Sequence, residues 1–346
     1  MAAQSAGARD EESYHSAQPI FIIEDIRTAP GQRRALLDLI ERDYAPEAAR
    51  RGHVLKEAWC FPPMELPQAE TDLVLLWEIA NTRALFLAAR DTPDNRFISE
   101  FWRRVDGLIV RRTRRVGRSA PYTFTGRAQA PVGRPAPGEA VERHLLLLRP
   151  DNAAAAARAL EAPEASGPAV AASRLRAMHG FSHNPDHLAW DLDLRPQGQG
   201  GPAAVAALQP EGMEAAYHLV LGEVLDAGVR EPGLSGGLKR VLLYRADRVS
   251  SAEHLRAFEE SLIGFPHHIE QIRNWRISRV AQVLAGEGWT HVFEHEFASL
   301  EDFTGPYVAN PFHWAVHDRY EQPDAPEYCV TAFWHGLYAI DRSVLA

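Results

Sequence analysis

Residues Thr290 to His313 read THVFEHEFASLEDFTGPYVANPFH. Successive strand side chains point to opposite faces, so His291, Phe293, His295 and Phe297 share one face while Val292, Glu294 and Glu296 share the other. The opening of the segment therefore predicts a strand with one face aromatic and imidazole-bearing and the other acidic. After the turn, Asn310 and Pro311 predict the start of a helix: Asn accepts from an otherwise orphaned amide, and Pro lacks the donor that would be orphaned there. His313 then falls in the first helical turn. The positive end of the helix dipole disfavours imidazolium, which suits His313 to act as a base. Tyr307 lies six positions before it.

Working outward, the same part of the chain predicts a strand at 239–246, a helix opened by Ser250 with Glu253 as capping box, strands at 274–280 and 289–297, helices to about 320, and a strand at 328–338. That order is βαββαβ, the ferredoxin-like plan. The N-terminal part repeats it. An apolar strand at 19–27 precedes a helical pattern carrying Leu36, Leu37, Leu39, Ile40 and Tyr44, then strands from His53 to Phe61 and Thr71 to Ile79, helical stretches with Leu85, Phe86, Phe97 and Trp102, and a strand at 108–116. The middle part predicts a strand at 144–150, an alanine-rich helix, a hairpin about Asn184-Pro185-Asp186, and a helix near 202–227, with the closing strand missing or reduced.

The expected organisation is a disordered tail at 1–18, a ferredoxin-like module at 19–118, a linker at 119–138, a degenerate module at 139–232 and a third module at 237–346. The fold class is α+β: tandem ferredoxin-like (βαββαβ) modules forming dimeric α/β-barrel arrangements. Each module covers one sheet face with helices, so the other face needs a second sheet. Three modules leave one to pair with its counterpart in a second chain, which implies a homodimer.

The third module resembles the stress-responsive dimeric α/β-barrel (Dabb) family. The residues that carry the likeness are Thr290, His291 and Val292, then Glu294 and Glu296, then Phe297, Ser299, Leu300 and Glu301, and finally Tyr307, Pro311 and His313. Within that family the module is similar to olivetolic acid cyclase. This resemblance implies a base at His313, an assisting phenol at Tyr307 and a strand histidine at His291. Two departures stand out: the turn before Tyr307 is longer and contains Gly305 and Pro306, and Arg240 stands where the cyclase has a histidine.

The implied chemistry is proton abstraction next to a carbonyl by His313, with Tyr307 stabilising the oxygen that becomes negative and His291 orienting the substrate. Phe293, His295, Phe258, Leu262, Leu255 and Arg240 are the expected pocket. This describes a cofactor-independent lyase, cyclase or isomerase of small carbonyl compounds with an apolar part, polyketide-cyclase-like. The alternatives are a cofactor-free or haem-linked α/β-barrel monooxygenase and a non-catalytic stress-response or ligand-binding barrel.

No metal is expected. His291 and His295 share a face, but four strand residues hold them roughly 13 Å apart, too far for one ion. His313 and His317 have helical spacing and could share one ion with His291, but no Cys, Asp or Glu is evidently placed to complete the shell. No phosphate-binding or nucleophile-elbow motif is present. The formal charge of -9 argues against a nucleic-acid partner, which requires a positive footprint. The basic run RRTRRVGR at 111–118 reads as a solvated strand end, and Asp191 and Asp193 as ordinary half-buried alternation. Trp59, Trp77 and Trp190 read as core or barrel-wall aromatics. Two cysteines in 346 residues suit a reduced cytoplasm, and the N-terminal stretch has no apolar core for a membrane or signal segment.

Overall fold

The computed structural model describes residues 18–91, 96–119, 128–134, 141–195 and 202–346. The expected tail, apart from its last residue, and most of the expected linker lie outside the described residues. The chain divides into two compact units, both discontinuous. The first gathers Met1–Thr125, Ser250–His254 and Thr304–Val330; the second gathers Gly126–Val249, Leu255–Phe303 and Thr331–Ala346.

In the first unit the order is β1 (Ile20–Thr28), α1 (Arg33–Leu39), α2 (Ala45–Arg50), β2 (Val54–Phe61), β3 (Thr71–Ile79), α3 (Thr82–Asp91), α4 (Arg96–Val105) and β4 (Ile109–Gly117). The strands form one antiparallel sheet in the order β2-β3-β1-β4, the βαββαβ plan. Both β1 and β3 alternate strictly between buried and half-buried residues, as period-two patterning requires when helices cover one face. The inner face packs Ile22, Leu75 and Trp77 with Leu36, Ile40 and Phe101. Trp314, from the returning stretch Thr304–Val330, joins the same core.

The basic run on β4 is not a solvated end. Its alternate members Arg112 and Arg114 turn inward: Arg112 donates to both oxygens of Glu24, at 2.9 and 3.1 Å, and Arg114 Nη1 lies 2.6 Å from Asp324 Oδ1. Arg115 instead pairs at the surface with Asp25. A strand buries half of a charged run when carboxylates wait on that face.

The second unit contains β5 (Glu142–Pro150), α5 (Ala153–Glu161), β6 (Val170–Ala177), β7 (Leu188–Leu194), α6 (Pro202–Leu208), β8 (Met213–Val229), β9 (Ser235–Ala246), most of α7 (Ala252–His268), β10 (Asn274–Ala285), β11 (His291–Phe297) and β12 (Val330–Arg342). Eight strands form one sheet in the order β12-β9-β11-β10-β8-β5-β7-β6. The helix expected near 202–227 is mostly strand: only Pro202–Leu208 is helical. β8 bonds β5 on one side and β10 on the other. Its Ala, Leu and Glu content favours helix locally, and pairing on both edges overrides that preference. β8 thereby joins the middle and third repeats within one chain. The sheet curls back on itself, because His179 N–H donates to Leu337 O at 2.7 Å and His183 N–H to His335 O at 3.0 Å. His183 therefore meets His335, at 4.3 Å between ring centroids, across this seam.

Helix α7 is capped one residue later than expected. Ser251 Oγ accepts the His254 N–H at 3.0 Å, while Ser250 contacts the His254 ring.

Candidate functional site

The side chains singled out by sequence fall into two groups, one in each unit. Tyr307, Asp318 and His313 belong to the first. Asn310 caps the wide-turn helix Phe312–His317 as expected, its Oδ1 accepting the Phe312 N–H at 2.9 Å. That cap fixes the start of the helix and so the direction of His313. The Tyr307 and His313 rings meet edge to face with centroids 5.2 Å apart, and Phe86 packs edge-on against the imidazole at 5.5 Å. His313 Nδ1 lies 2.9 Å from Asp318 Oδ1, close but not aligned for a hydrogen bond. The His313 side chain is 18% exposed and Tyr307 is fully buried. Nearby, His317 is buried and paired with Glu321 through Nε2 at 3.0 Å.

His291, Phe293, His295, Phe258, Leu262, Leu255 and Arg240 belong to the second unit. The aromatic face of β11 exists as read. Phe258 packs edge-on against His291 at 5.2 Å, Leu262 is buried, and His295 lies between Phe293 at 4.1 Å and Phe297 at 5.1 Å. Leu255 is half-buried on α7. His291 Nε2 is 3.1 Å from Glu259 Oε1 and Nδ1 is 2.9 Å from Thr290 Oγ1. Burial lowers the His291 pKa from its ordinary value, with Glu259 opposing. Glu259 also accepts from Arg279, whose guanidinium helps hold it below the usual carboxylate range against burial. A neutral imidazole with both nitrogens engaged can orient a neighbour better than it can accept a proton. Arg240 is buried, its guanidinium 4.9 Å from the centre of the Phe303 ring.

The acidic face of β11 is the part that sequence reasoning left without a role. Glu294 is fully buried, taking a two-pronged contact from Arg143 at 2.8 and 3.0 Å and a third from Lys239 at 2.7 Å. Lys239 also reaches Asp191 at 2.8 Å, and the Tyr338 hydroxyl donates to the same carboxylate. Asp193 lies 3.3 Å from Arg143. Asp191 is thus not half-solvated alternation but part of a barrel-interior ion network. Despite full burial, Arg143 and Lys239 hold Glu294 well below the ordinary carboxylate pKa, and Asp191 and Glu294 hold Lys239 well above the ordinary ammonium value. Glu296 is satisfied by Asn274 and Ser343 side chains and by the Val344 and Leu345 amides. The available signal was the placing of charges of both signs, Lys239, Asp191 and Glu294, inside strands rich in apolar residues. Trp77 and Trp190 are core, whereas Trp59 is 41% exposed, because its face of the first unit's sheet carries no helix.

Among the described residues no three His, Cys, Asp or Glu side chains are grouped to hold a metal ion, and no helix is long and apolar enough to cross a membrane.

Residues 238–323 match the family model of the stress responsive A/B barrel domain, Dabb. No curated protein matches the chain. Among solved structures, a NIPSNAP family protein from Agrobacterium tumefaciens str. C58 is 16% identical over 32% of this chain and 92% of its own, with a TM-score of 0.26. An anthrone oxidase-like protein is 12% identical over 57% of this chain and 90% of its own, with a TM-score of 0.40. An aldoxime dehydratase is 10% identical over 94% of this chain and 82% of its own, with a TM-score of 0.23. At such TM-scores these likenesses carry no argument about chemistry.

Proposed function

We propose that this chain is a cofactor-independent enzyme of small carbonyl compounds that begins by proton abstraction. The Dabb match supports the barrel context, and one observation carries the reading: the Tyr307 and His313 rings are 5.2 Å apart while Asp318 stands 2.9 Å from His313 Nδ1. His313 Nε2 takes a proton from the carbon next to a carbonyl, and the electron pair of that C–H bond moves onto the carbonyl oxygen. Tyr307 donates a hydrogen bond to the resulting enolate oxygen, the carbanion attacks a second carbonyl in the same molecule, and the alkoxide so formed takes the proton back from His313. The substrate class is a β-keto compound with an apolar part.

The test is hydrogen–deuterium exchange at the α-carbon of a panel of β-keto compounds, followed by NMR. His313→Ala is expected to slow exchange by about 10²–10⁴-fold, with the melting temperature held within about 2 °C, a shift worth about 1.5 kcal/mol in a chain of this length. Tyr307→Phe is expected to lower kcat more than it raises KM. Equal exchange in wild type and His313→Ala overturns the reading. A second reading, a non-catalytic barrel, is favoured by the complete burial of Tyr307; there both substitutions would lower stability, and no β-keto compound would exchange faster than in buffer.

We also propose a homodimer, through the outer face of the first unit's sheet. On that face Ile23 pairs with Leu76 and Trp59 with Val74, two apolar pairs of the kind that a two-fold copy of the same face covers.

A further inference from the structure

The second unit carries an open cleft of about 690 Å³ over the ends of β5, β7, β8 and β10, and four arginines line it: Arg134, Arg143, Arg195 and Arg276. Two of them are committed. Arg143 is held by Glu294 and Asp193, and Arg195 donates to the Pro168 and Val170 carbonyls. Arg276 is different. It is half-buried on β10, and among the described residues its guanidinium makes no hydrogen bond or ion pair. The carboxylates that act on it are already claimed: Glu294 by Arg143 and Lys239, Asp193 by Arg143, and Asp191 by Lys239 and Tyr338. Its neighbours in register are Ala227 on β8, too small to cover it, and Glu294 on β11, which bonds Arg143 and Lys239 instead. A partly desolvated guanidinium that must share its carboxylates with other cations is completed by an added anion.

The rest of the wall decides what kind of anion. Val141, Leu225 and Val344 offer apolar surface, which a bare inorganic ion cannot use. Arg presents a planar donor fork that matches a carboxylate in two places. We propose that this cleft binds a small organic carboxylate, its head group on Arg276 with Arg134 completing the cation pair and its apolar part against Val141, Leu225 and Val344. The site uses neither His313 nor Tyr307, so it stands or falls independently of the proton-abstraction reading.

The experiment is calorimetric titration of the full chain with hexanoate, with hexanamide and with inorganic phosphate at one fixed ionic strength. Hexanoate is expected to bind saturably, and hexanamide and phosphate at least tenfold more weakly. Arg276→Gln is expected to weaken hexanoate at least tenfold, while Arg42→Gln, a surface control, leaves it unchanged. If Arg276→Gln fails to fold, Ala227→Leu decides: it keeps every charge, places bulk beside the Arg276 guanidinium and is expected to abolish binding. Unsaturable hexanoate, equal binding of hexanamide, equal binding of phosphate, or undiminished binding in Ala227→Leu overturns the proposal.

Discussion

Arg114 Nη1 lies 2.6 Å from Asp324 Oδ1, and both side chains are almost wholly excluded from solvent. Arg51 approaches the other oxygen of Asp324 at 3.7 Å, and the Tyr44 hydroxyl donates to that same oxygen at 3.4 Å. Against the cost of burial, Arg114, His53 and Arg51 hold the Asp324 carboxyl below its ordinary range, so the ionised form is the one that the first unit is built around. This contact ties the returning stretch Thr304–Val330 to β4. Asp324→Ala should cost about 3–5 kcal/mol in urea unfolding, because it strands buried guanidinium groups. Replacing Arg114 and Asp324 together by Leu should cost clearly less than Asp324→Ala alone, and equal costs would mean that the charges do not act as a pair.

Three histidines make stability fall in acid. Burial lowers the pKa of His53 to about 3, of His218 to about 4 and of His335 to about 2, each below the ordinary value of 6.5. Between those values and 6.5 the unfolded chain binds protons that the folded chain refuses. Stability is therefore full above pH 6.5 and declines as pH falls toward 4, by about 1.4 kcal/mol per pH unit for each histidine that titrates only when unfolded. Unfolding free energies at pH 7 and pH 5 measure the slope, and His53→Phe should flatten it by about one histidine's share. A slope unchanged by His53→Phe would place the proton uptake elsewhere.

Within the second unit, Lys239 serves two buried carboxylates. Lys239→Met should destabilise by about 3–5 kcal/mol, since Glu294 and Asp191 both lose their closest cation. Tyr338→Phe removes one hydroxyl from Asp191 and should cost about 1–3 kcal/mol. Denaturant midpoints for the two variants should rank in that order; the reverse order would contradict the network as described.

Trp59 is 41% and Phe61 54% exposed on the sheet face without helices. If a second copy covers that face, light scattering should give twice the chain mass for wild type and a monomer for Trp59→Glu at the same concentration. A monomeric wild type, or a dimer untouched by Trp59→Glu, rules this interface out.

Elements were readable from sequence wherever a local rule governs them. Alternation in β1, the aromatic face of β11 and the Asn310 cap depend on neighbours a few positions away, and all stand in the structure. Other features are not local. Periodicity says which side chains share a face but not what covers that face, so Arg112 and Arg114 read as solvent-bound although Glu24 and Asp324 wait inside. Composition inclined β8 toward helix, and only the strands on either side made it a strand. Charges such as Lys239, Asp191 and Glu294, scattered along the chain, become one network because closing the sheet removes water from all of them at once, and a charge buried without an opposite partner is costly.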